Sequence, residues 1–280
     1  MNIRGLIDRT TRTFAREGLP TPRLDAEVLL AACLRTDRSE FYIHPEREVP
    51  PDHRRRFASW VGRRRRGQPV AYITGEKEFW SLPLTVGPQV LVPRPETEIL
   101  VEEVLRLASS LPADSRILEV GVGSGAVSIA LATELPLARI AATDISPDAL
   151  ALARVNARRH GVDDRIALMA GDLFEPVRGP FDLVVSNPPY IPEGAYDGLP
   201  AEVRCEPRLA LLAGPDGTDV HRRLIADGGR YLTAGGWLCL EMGEGQGGRL
   251  TAVLEKAGYA DIVRRKDYGG RERVIRARWR

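Results

Sequence analysis

Cysteine, methionine and lysine occur only three times each in the 280 residues, and histidine four times. Cys33, Cys205 and Cys239 stand far apart, none in a Cys-x-x-Cys and none beside a histidine cluster. That spacing supports neither a disulfide framework nor a zinc site nor a papain-type nucleophile. His44, His53, His160 and His221 form no pattern that a metal or a triad requires, so solvated positions are expected for each and no metal is implied. No apolar run approaches the roughly 18 residues that cross a bilayer, and residues 1–17 form a charged amphipathic stretch unlike a signal peptide. A cytoplasmic chain with no membrane partner is the expectation.

What is present is an ordinary globular balance, 43% hydrophobic and 28% charged, which excludes a disordered tail or a low-complexity scaffold. The length suits two domains better than one. The net charge of +2 is unevenly placed, with 16 basic against 11 acidic residues in the first 80. Arginine supplies 37 of the 40 basic residues, a chain-wide bias that is weak evidence for nucleic acid, and no direct nucleic-acid partner is expected.

Ile3, Leu6, Ile7 and Phe14 share one helical face, and residues 24–34 repeat the period after Thr21-Pro22. A third helix over 51–66 sets Phe57, Trp60 and Val61 as core between the arginine runs 54–56 and 63–66, which read as solvated faces. These predict a helical N-terminal domain over 1–69. Residues 70–92, rich in aromatic and β-branched types and broken by Gly75, Pro83 and Gly87-Pro88, predict a β-hairpin linker. From 93 to 280 the character changes. Apolar runs at 116–120, 139–143, 165–170, 181–185 and 237–242 alternate with helical segments, and 262–265 and 274–278 add a terminal hairpin through Tyr268-Gly269-Gly270. The fold class is α/β, a doubly wound parallel sheet covered on both faces.

The first of these strands ends in Glu119-Val120-Gly121-Val122-Gly123-Ser124-Gly125-Ala126. Glycines are needed where the chain turns sharply into a helix and its backbone approaches a ligand. Asp144, at the end of the second strand, is placed to accept hydrogen bonds from both ribose hydroxyls. Together they describe a nucleoside pocket, and the loop alone fits NAD(P) as well as S-adenosylmethionine. Glu119 favours the methyl donor, because a carboxylate there suits a methionyl ammonium and repels a pyrophosphate. Asp172 is a candidate for the adenine amino group or for a helix cap, and Leu173 or Phe174 for packing on the ring.

After the fourth strand comes Ser186-Asn187-Pro188-Pro189-Tyr190. Two prolines stiffen the backbone and remove two donors, leaving Asn187 and the Pro188 carbonyl as fixed acceptors. Such a pair suits an NH₂ whose lone pair is delocalised: accepting from both hydrogens draws the lone pair back to nitrogen and aims it at a methyl group. Tyr190 is expected to cover the planar group, and Arg94, with Glu96 and Glu98, to stand at the rim or at the start of a helix.

The chain resembles, along nearly its whole length, the protein-glutamine N5-methyltransferases that act on peptide-chain release factors, the PrmC/HemK family. The matching segments are QPVAYITGE (68–76), PRPETE (93–98), EVGVGSG (119–125), NPPY (187–190) and DYGGRER (267–273). NPPY alone is shared with adenine N6-methyltransferases, and the combination is more specific. The resemblance implies a seven-stranded class I methyltransferase (Rossmann-like) domain with a helical N-terminal domain. It implies S-adenosylmethionine as cofactor, S-adenosylhomocysteine as product, and release factors 1 and 2 as protein substrates, methylated at the GGQ glutamine by what is expected to be a monomer. Carried over position by position, Glu119, Gly121, Val122, Gly123, Ser124, Gly125, Asp144, Ile145, Asp172, Leu173 and Asn187 hold the cofactor. Asn187, Pro188 and Tyr190 are catalytic, and they bind the glutamine with Pro189 and Arg94. Leu173 stands where some relatives have tryptophan, and Cys205 where phenylalanine is usual. Two other readings stay open: adenine-N6 methylation of DNA or RNA with a flipped base, and a noncatalytic nucleoside- or release-factor-binding module.

Overall fold

The computed structural model describes residues 1–280. The chain divides into two compact units, Met1–Glu76 with Pro200–Cys205, and Lys77–Leu199 with Glu206–Arg280.

The first unit is built on helices α1 (Ile3–Arg16), α2 (Pro22–Leu34), α3 (Glu40–Ile43), α4 (Pro51–Arg65) and α5 (Val70–Thr74). Asn2 caps α1 by accepting the Gly5 N–H at 2.9 Å, and proline opens α2 and α4, where its missing donor costs nothing. Ile3, Ile7, Phe14, Leu29, Leu30 and Phe57 form its core, joined by Trp60. The segment 70–74, rich in residues that favour strands, is a helix instead of the start of the hairpin. Pro69 precedes it, Gly75 ends it at φ +81°, and Ala71, Tyr72 and Ile73 turn into the core, so tertiary burial outweighs β-propensity.

The second arginine run is also not wholly solvated. Arg64 is buried on α4, donating from Nε to Asp25 at 2.7 Å and pairing through Nη1 with Glu202 at 2.7 Å. Asp25 takes a further hydrogen bond from Thr21 Oγ1 at 2.7 Å. Residues 200–205 thus fold with the helical unit, and Cys205 Sγ lies 3.6 Å from the Gly67 carbonyl.

At the boundary, which falls after Glu76, the chain forms a short two-stranded sheet, β1 (Glu76–Phe79) and β2 (Leu82–Thr85). Trp80 and Ser81, at φ +53° and +57°, make the two-residue turn that a twisted hairpin prefers. Then follow α6 (Glu98–Ala108), β3 (Arg116–Val120), α7 (Ala126–Glu134), β4 (Arg139–Asp144), α8 (Pro147–Arg159), β5 (Ile166–Ala170) and β6 (Phe181–Ser186). The short α9 (Ala201–Arg204) lies in the segment that folds with the first unit; α10 (Asp219–Gly228), β7 (Leu232–Glu241), α11 (Gly247–Lys256), β8 (Ala260–Lys266) and β9 (Glu272–Arg278) complete the second.

Seven strands run in the order β5-β4-β3-β6-β7-β9-β8. β5, β4, β3, β6 and β7 are parallel, and β9 pairs antiparallel with both β7 and β8. One apolar cluster, including Leu100, Ile117, Ile129 and Ile140, covers one face of the sheet; another, with Leu118, Val184, Leu224 and Leu250, covers the other. Burial on both faces explains why the central strands read as continuous apolar runs. β7 starts five residues before the run at 237, because Gly235 at φ +80° and Gly236 interrupt the apolar pattern but not the strand.

Removing Arg64 leaves Asp25 as a buried, unpaired carboxylate. Arg64→Ala is expected to destabilise the helical unit by about 3–5 kcal/mol. Calorimetry should show its transition moving to lower temperature, whereas a loss below about 1 kcal/mol would mean that the pair behaves like a surface ion pair.

Candidate functional site

In an open parallel sheet, ligands bind beyond the carboxyl ends of the strands where the order of winding reverses. Here the reversal falls between β3 and β6, whose register sets Glu119 beside Val185. The glycine loop after β3 and the Asn-Pro-Pro segment after β6 are therefore neighbours, with Asp144 at the end of β4 on the far side of the loop. A cleft of about 340 Å³ opens there, within the size range of small-molecule sites.

The loop is shaped by its own backbone. Gly121, Gly123 and Gly125 lie at φ +80°, +53° and +86°, and a Cβ on Gly125 would stand 2.9 Å from Ile129 Cδ1. Gly121 and Gly123 have open space where a Cβ would be, so their requirement is conformational. Gly121, Val122, Gly123 and Ser124 line the cleft; Gly125 lies behind them, against α7 and α8. Asn156 on α8, fully buried, donates to the carbonyls of Ser124 and Thr85 at 2.9 Å each and accepts from Thr85 N–H at 2.8 Å.

Two carboxylates face the cleft from opposite sides of the loop. Glu119 is 2% exposed and accepts from the Ser128 N–H at 2.9 Å and from the Ser128 hydroxyl. Burial pushes its carboxyl up to about 8, against those hydrogen bonds. Asp144 is fixed by two backbone donors, Gly123 N–H on Oδ2 and Ser146 N–H on Oδ1, both at 2.9 Å. Ile145 follows with 52% of its surface open to solvent, presenting an apolar wall.

Asp172 and Leu173 line the far end. Asp172 pairs with Arg223 at 2.6 Å, so its carboxylate is held by a guanidinium and caps no helix. Leu173 takes φ +49°, a left-handed backbone that brings it to the cleft. Phe174 turns the other way, stacking on Tyr231 with ring centroids 4.7 Å apart, which leaves Leu173 as the apolar side chain at that end.

On the opposite wall, Asn187, Pro188 and Pro189 all line the cleft. Asn187 Nδ2 donates to Thr97 Oγ1 at 3.0 Å, and no donor of the chain takes up its Oδ1 or the Pro188 carbonyl. Arg94 lines the cleft with its guanidinium held by the buried Glu206, which also accepts from Val92 N–H at 3.1 Å. Glu96 and Glu98 belong to the turn and helix start; Glu98 accepts the Trp80 N–H at 2.9 Å. Tyr190 departs from expectation. It lines a neighbouring cavity with Gly243 and Gln246, and its hydroxyl donates to Glu241 at 3.4 Å. The two prolines hold the chain straight past the cleft, so the ring leaves the Asn187 wall. His221, expected in solvent, is fully buried with Nε2 2.8 Å from the Glu241 carbonyl.

The residues that hold these groups in place were not evident from sequence. Ser128, Asn156, Glu206 and Thr97 each support a lining residue, and of these only Thr97 sits in a quoted motif. The lining suits S-adenosylmethionine: an acceptor for an ammonium in Glu119, one for ribose hydroxyls in Asp144, apolar side chains for a flat base in Ile145 and Leu173, and free acceptors on the opposite wall.

Residues 5–75 match the PrmC N-terminal domain family, and residues 96–199 the methyltransferase small domain family. The chain is 43% identical over 280 residues to the release factor glutamine methyltransferase of Moorella thermoacetica, covering 99% of this chain and 98% of that one. It is 41% identical over 278 residues to that of Geobacter sulfurreducens, covering 99% and 96%. Among solved structures, a methyltransferase from Pyrococcus furiosus aligns over 81% of this chain and 98% of its own, with a TM-score of 0.53 at 18% identity. The hMettl16 catalytic domain in complex with MAT2A 3′UTR hairpin 6 aligns over 82% of each chain, with a TM-score of 0.59 at 15% identity. At those identities the likeness is one of fold.

The raised Glu119 carboxyl gives a pH dependence of known sign. A cationic ligand needs the ionised form, so binding below pH 8 must expel a proton, and affinity for S-adenosylmethionine should climb by up to about tenfold per unit towards pH 8. Above that it should level or fall as an α-amino group loses its own proton near pH 8. Calorimetry in buffers of different ionisation enthalpy reads the released proton directly. Glu119→Gln should bind more weakly and lose both the proton release and the acid limb.

Proposed function

The chain belongs to the release factor glutamine methyltransferases, and from that premise we infer that it moves a methyl group from S-adenosylmethionine to the side-chain amide nitrogen (N5) of a glutamine in a peptide-chain release factor. The observation that carries this reading is the β3–β6 pairing, which brings the Glu119 carboxyl and two acceptors that no donor of the chain takes up, Asn187 Oδ1 and the Pro188 carbonyl, to one cleft. When bound, S-adenosylmethionine supplies a methyl group on a positively charged sulfur, and S-adenosylhomocysteine is left behind.

Glu119 takes the ligand's ammonium and Asp144 its ribose hydroxyls, while Ile145 and Leu173 flank the base and Asp172 shares its second acceptor site with the base's amino group. Gly121, Val122, Gly123 and Ser124 let the ligand lie against backbone, and Gly125 keeps the loop packed on its helices. Asn187 Oδ1 and the Pro188 carbonyl accept the two hydrogens of the glutamine amide. A carboxamide nitrogen is a poor nucleophile because its lone pair is shared with the carbonyl, and two fixed acceptors localise that lone pair and orient it. The nitrogen then loses a proton to water. Pro189 stiffens the wall, Arg94 stands at the acceptor side of the cleft, and Tyr190 supports the segment from behind. The substrates are release factors 1 and 2 at the glutamine of the GGQ loop, and the protein works as a cytoplasmic monomer. No helix is long and apolar enough to cross a membrane.

Mass spectrometry of the GGQ peptide of each release factor, after incubation with the protein and methyl donor, should find one methyl group on the glutamine side chain. Label from the donor appearing only in nucleic acid would overturn the assignment. Asn187→Ala should lower kcat by about a hundredfold or more, as loss of a preorganised hydrogen-bond partner does elsewhere. Its affinity for S-adenosylmethionine should stay within about twofold of wild type, since the clamp acts on the acceptor.

A further inference from the structure

The segment Asn187–Tyr190 carries the acceptors of the cleft, yet it lies beyond the end of β6, and Pro188 and Pro189 bring no N–H with which to tie it down. Its near end is anchored at Ser186, whose hydroxyl donates to the Val120 carbonyl on β3 at 2.6 Å. Its far end is anchored by a residue outside the cleft, Gln246, which directly precedes α11. Gln246 Nε2 donates to the Tyr190 carbonyl at 3.0 Å and to the Gly217 carbonyl at 3.1 Å, and its Oε1 accepts the Gly243 N–H at 2.9 Å. One side chain, 8% exposed, joins the loops after β6, before α10 and after β7.

The grip is directional and close. Two carbonyls and one N–H surround the amide, so both hydrogens and the oxygen of Gln246 are used, and the reversed amide would set N–H against N–H. A Cβ on Gly217, which lies at φ +72°, would stand 2.3 Å from the Tyr190 carbonyl oxygen and 3.0 Å from Gln246 Nε2. One on Gly243 would stand 3.2 Å from both Gln246 Oε1 and Tyr190 Cδ2. Gly217 therefore cannot carry a side chain unless the Tyr190 carbonyl moves. Each proline holds its own φ at about −65°, so few torsions between Asn187 and Tyr190 can absorb such a movement, and it passes on to the Pro188 carbonyl. Methyl transfer needs the nucleophile in line with the reacting bond, and a misplacement of about 1 Å costs on the order of a hundredfold in rate.

We propose that Gln246 is a positioning residue for methyl transfer: it holds the Tyr190 carbonyl and, through the two prolines, sets the place of Asn187 and the Pro188 carbonyl before the methyl donor. The proposal rests on the reading of Asn187 and Pro188 as the amide clamp. Gln246, Gly217 and Gly243 do not line the cleft, so their effect falls on the acceptor wall and not on the cofactor.

The test is steady-state kinetics with a release factor at saturating S-adenosylmethionine, alongside calorimetric binding of the cofactor. Gln246→Met, close in length and without the amide, should lower kcat by about tenfold or more with cofactor affinity within about twofold of wild type. Gln246→Glu keeps an acceptor for the Gly243 N–H but, when ionised, offers no N–H to the carbonyls, and it should be impaired as much. Gly217→Ala intrudes on the Tyr190 carbonyl with Gln246 intact; it should show the same split and decides the matter if the Gln246 variants do not fold. In an Asn187→Ala background, Gln246→Met should cost little further. If the variants that fold turn over at the wild-type rate while Asn187→Ala does not, or if they lose cofactor affinity as steeply as turnover, the positioning role is overturned and the clamp stands. If Asn187→Ala itself is unimpaired, the clamp reading fails and the role of Gln246 with it.

Discussion

The parallel pairing of β3 with β6 is the constraint on which the site depends. Glu119 opposite Val185 is a backbone register, fixed by ladder hydrogen bonds and by two buried faces that no one-residue slip would preserve. Once it is set, the loops leaving the two strands emerge side by side and turn apart, because the sheet winds one way through β4 and β5 and the other through β7. The crevice between them belongs to the topology. Side chains decide only what it holds.

What it holds is mounted on backbone donors and buried side chains. Asp144 hangs on two backbone donors, Glu119 on the first turn of α7, the loop carbonyl of Ser124 on a fully buried asparagine, and Arg94 on a carboxylate inside the core. Glu119, the Ser124 carbonyl and Arg94 are each gripped by a residue outside the lining, Ser128, Asn156 and Glu206. This is how a small cleft keeps polar groups pointed at a ligand without letting them collapse onto one another.

Sequence revealed the cleft's lining better than its supports, for physical reasons. The glycine loop, Asp144 and the Asn-Pro-Pro segment were legible because positive φ, a strand-end acid and paired prolines each require particular residue types at particular places. The strands were legible because burial on both faces leaves unbroken apolar runs. Ser128, Thr97 and Asn156 were not, since a hydroxyl or amide that works through one tertiary hydrogen bond has no local signature. Tyr190 and Phe174 were assigned to the ligand on adjacency, whereas the backbone after Pro189 and the φ of Leu173 turn both rings elsewhere. Residues 70–74 looked like a strand because propensity was unopposed until the core of the helical unit entered the account. Arg64 looked solvated because its acids, Asp25 and Glu202, lie 39 and 138 positions away.

The excursion of residues 200–205 into the helical unit makes that unit discontinuous in sequence. The backbone crosses from one unit to the other three times, and the last two crossings bracket a six-residue stretch between Asn187 and Glu206. Cutting the chain after Glu76 would therefore not yield two self-sufficient pieces. The leading fragment would lack the strand of chain that supplies Glu202 to Arg64, and the trailing one would carry an orphaned loop just upstream of the carboxylate that grips Arg94. The covalent wiring makes the helical unit a module completed by a segment that the second unit sends back to it.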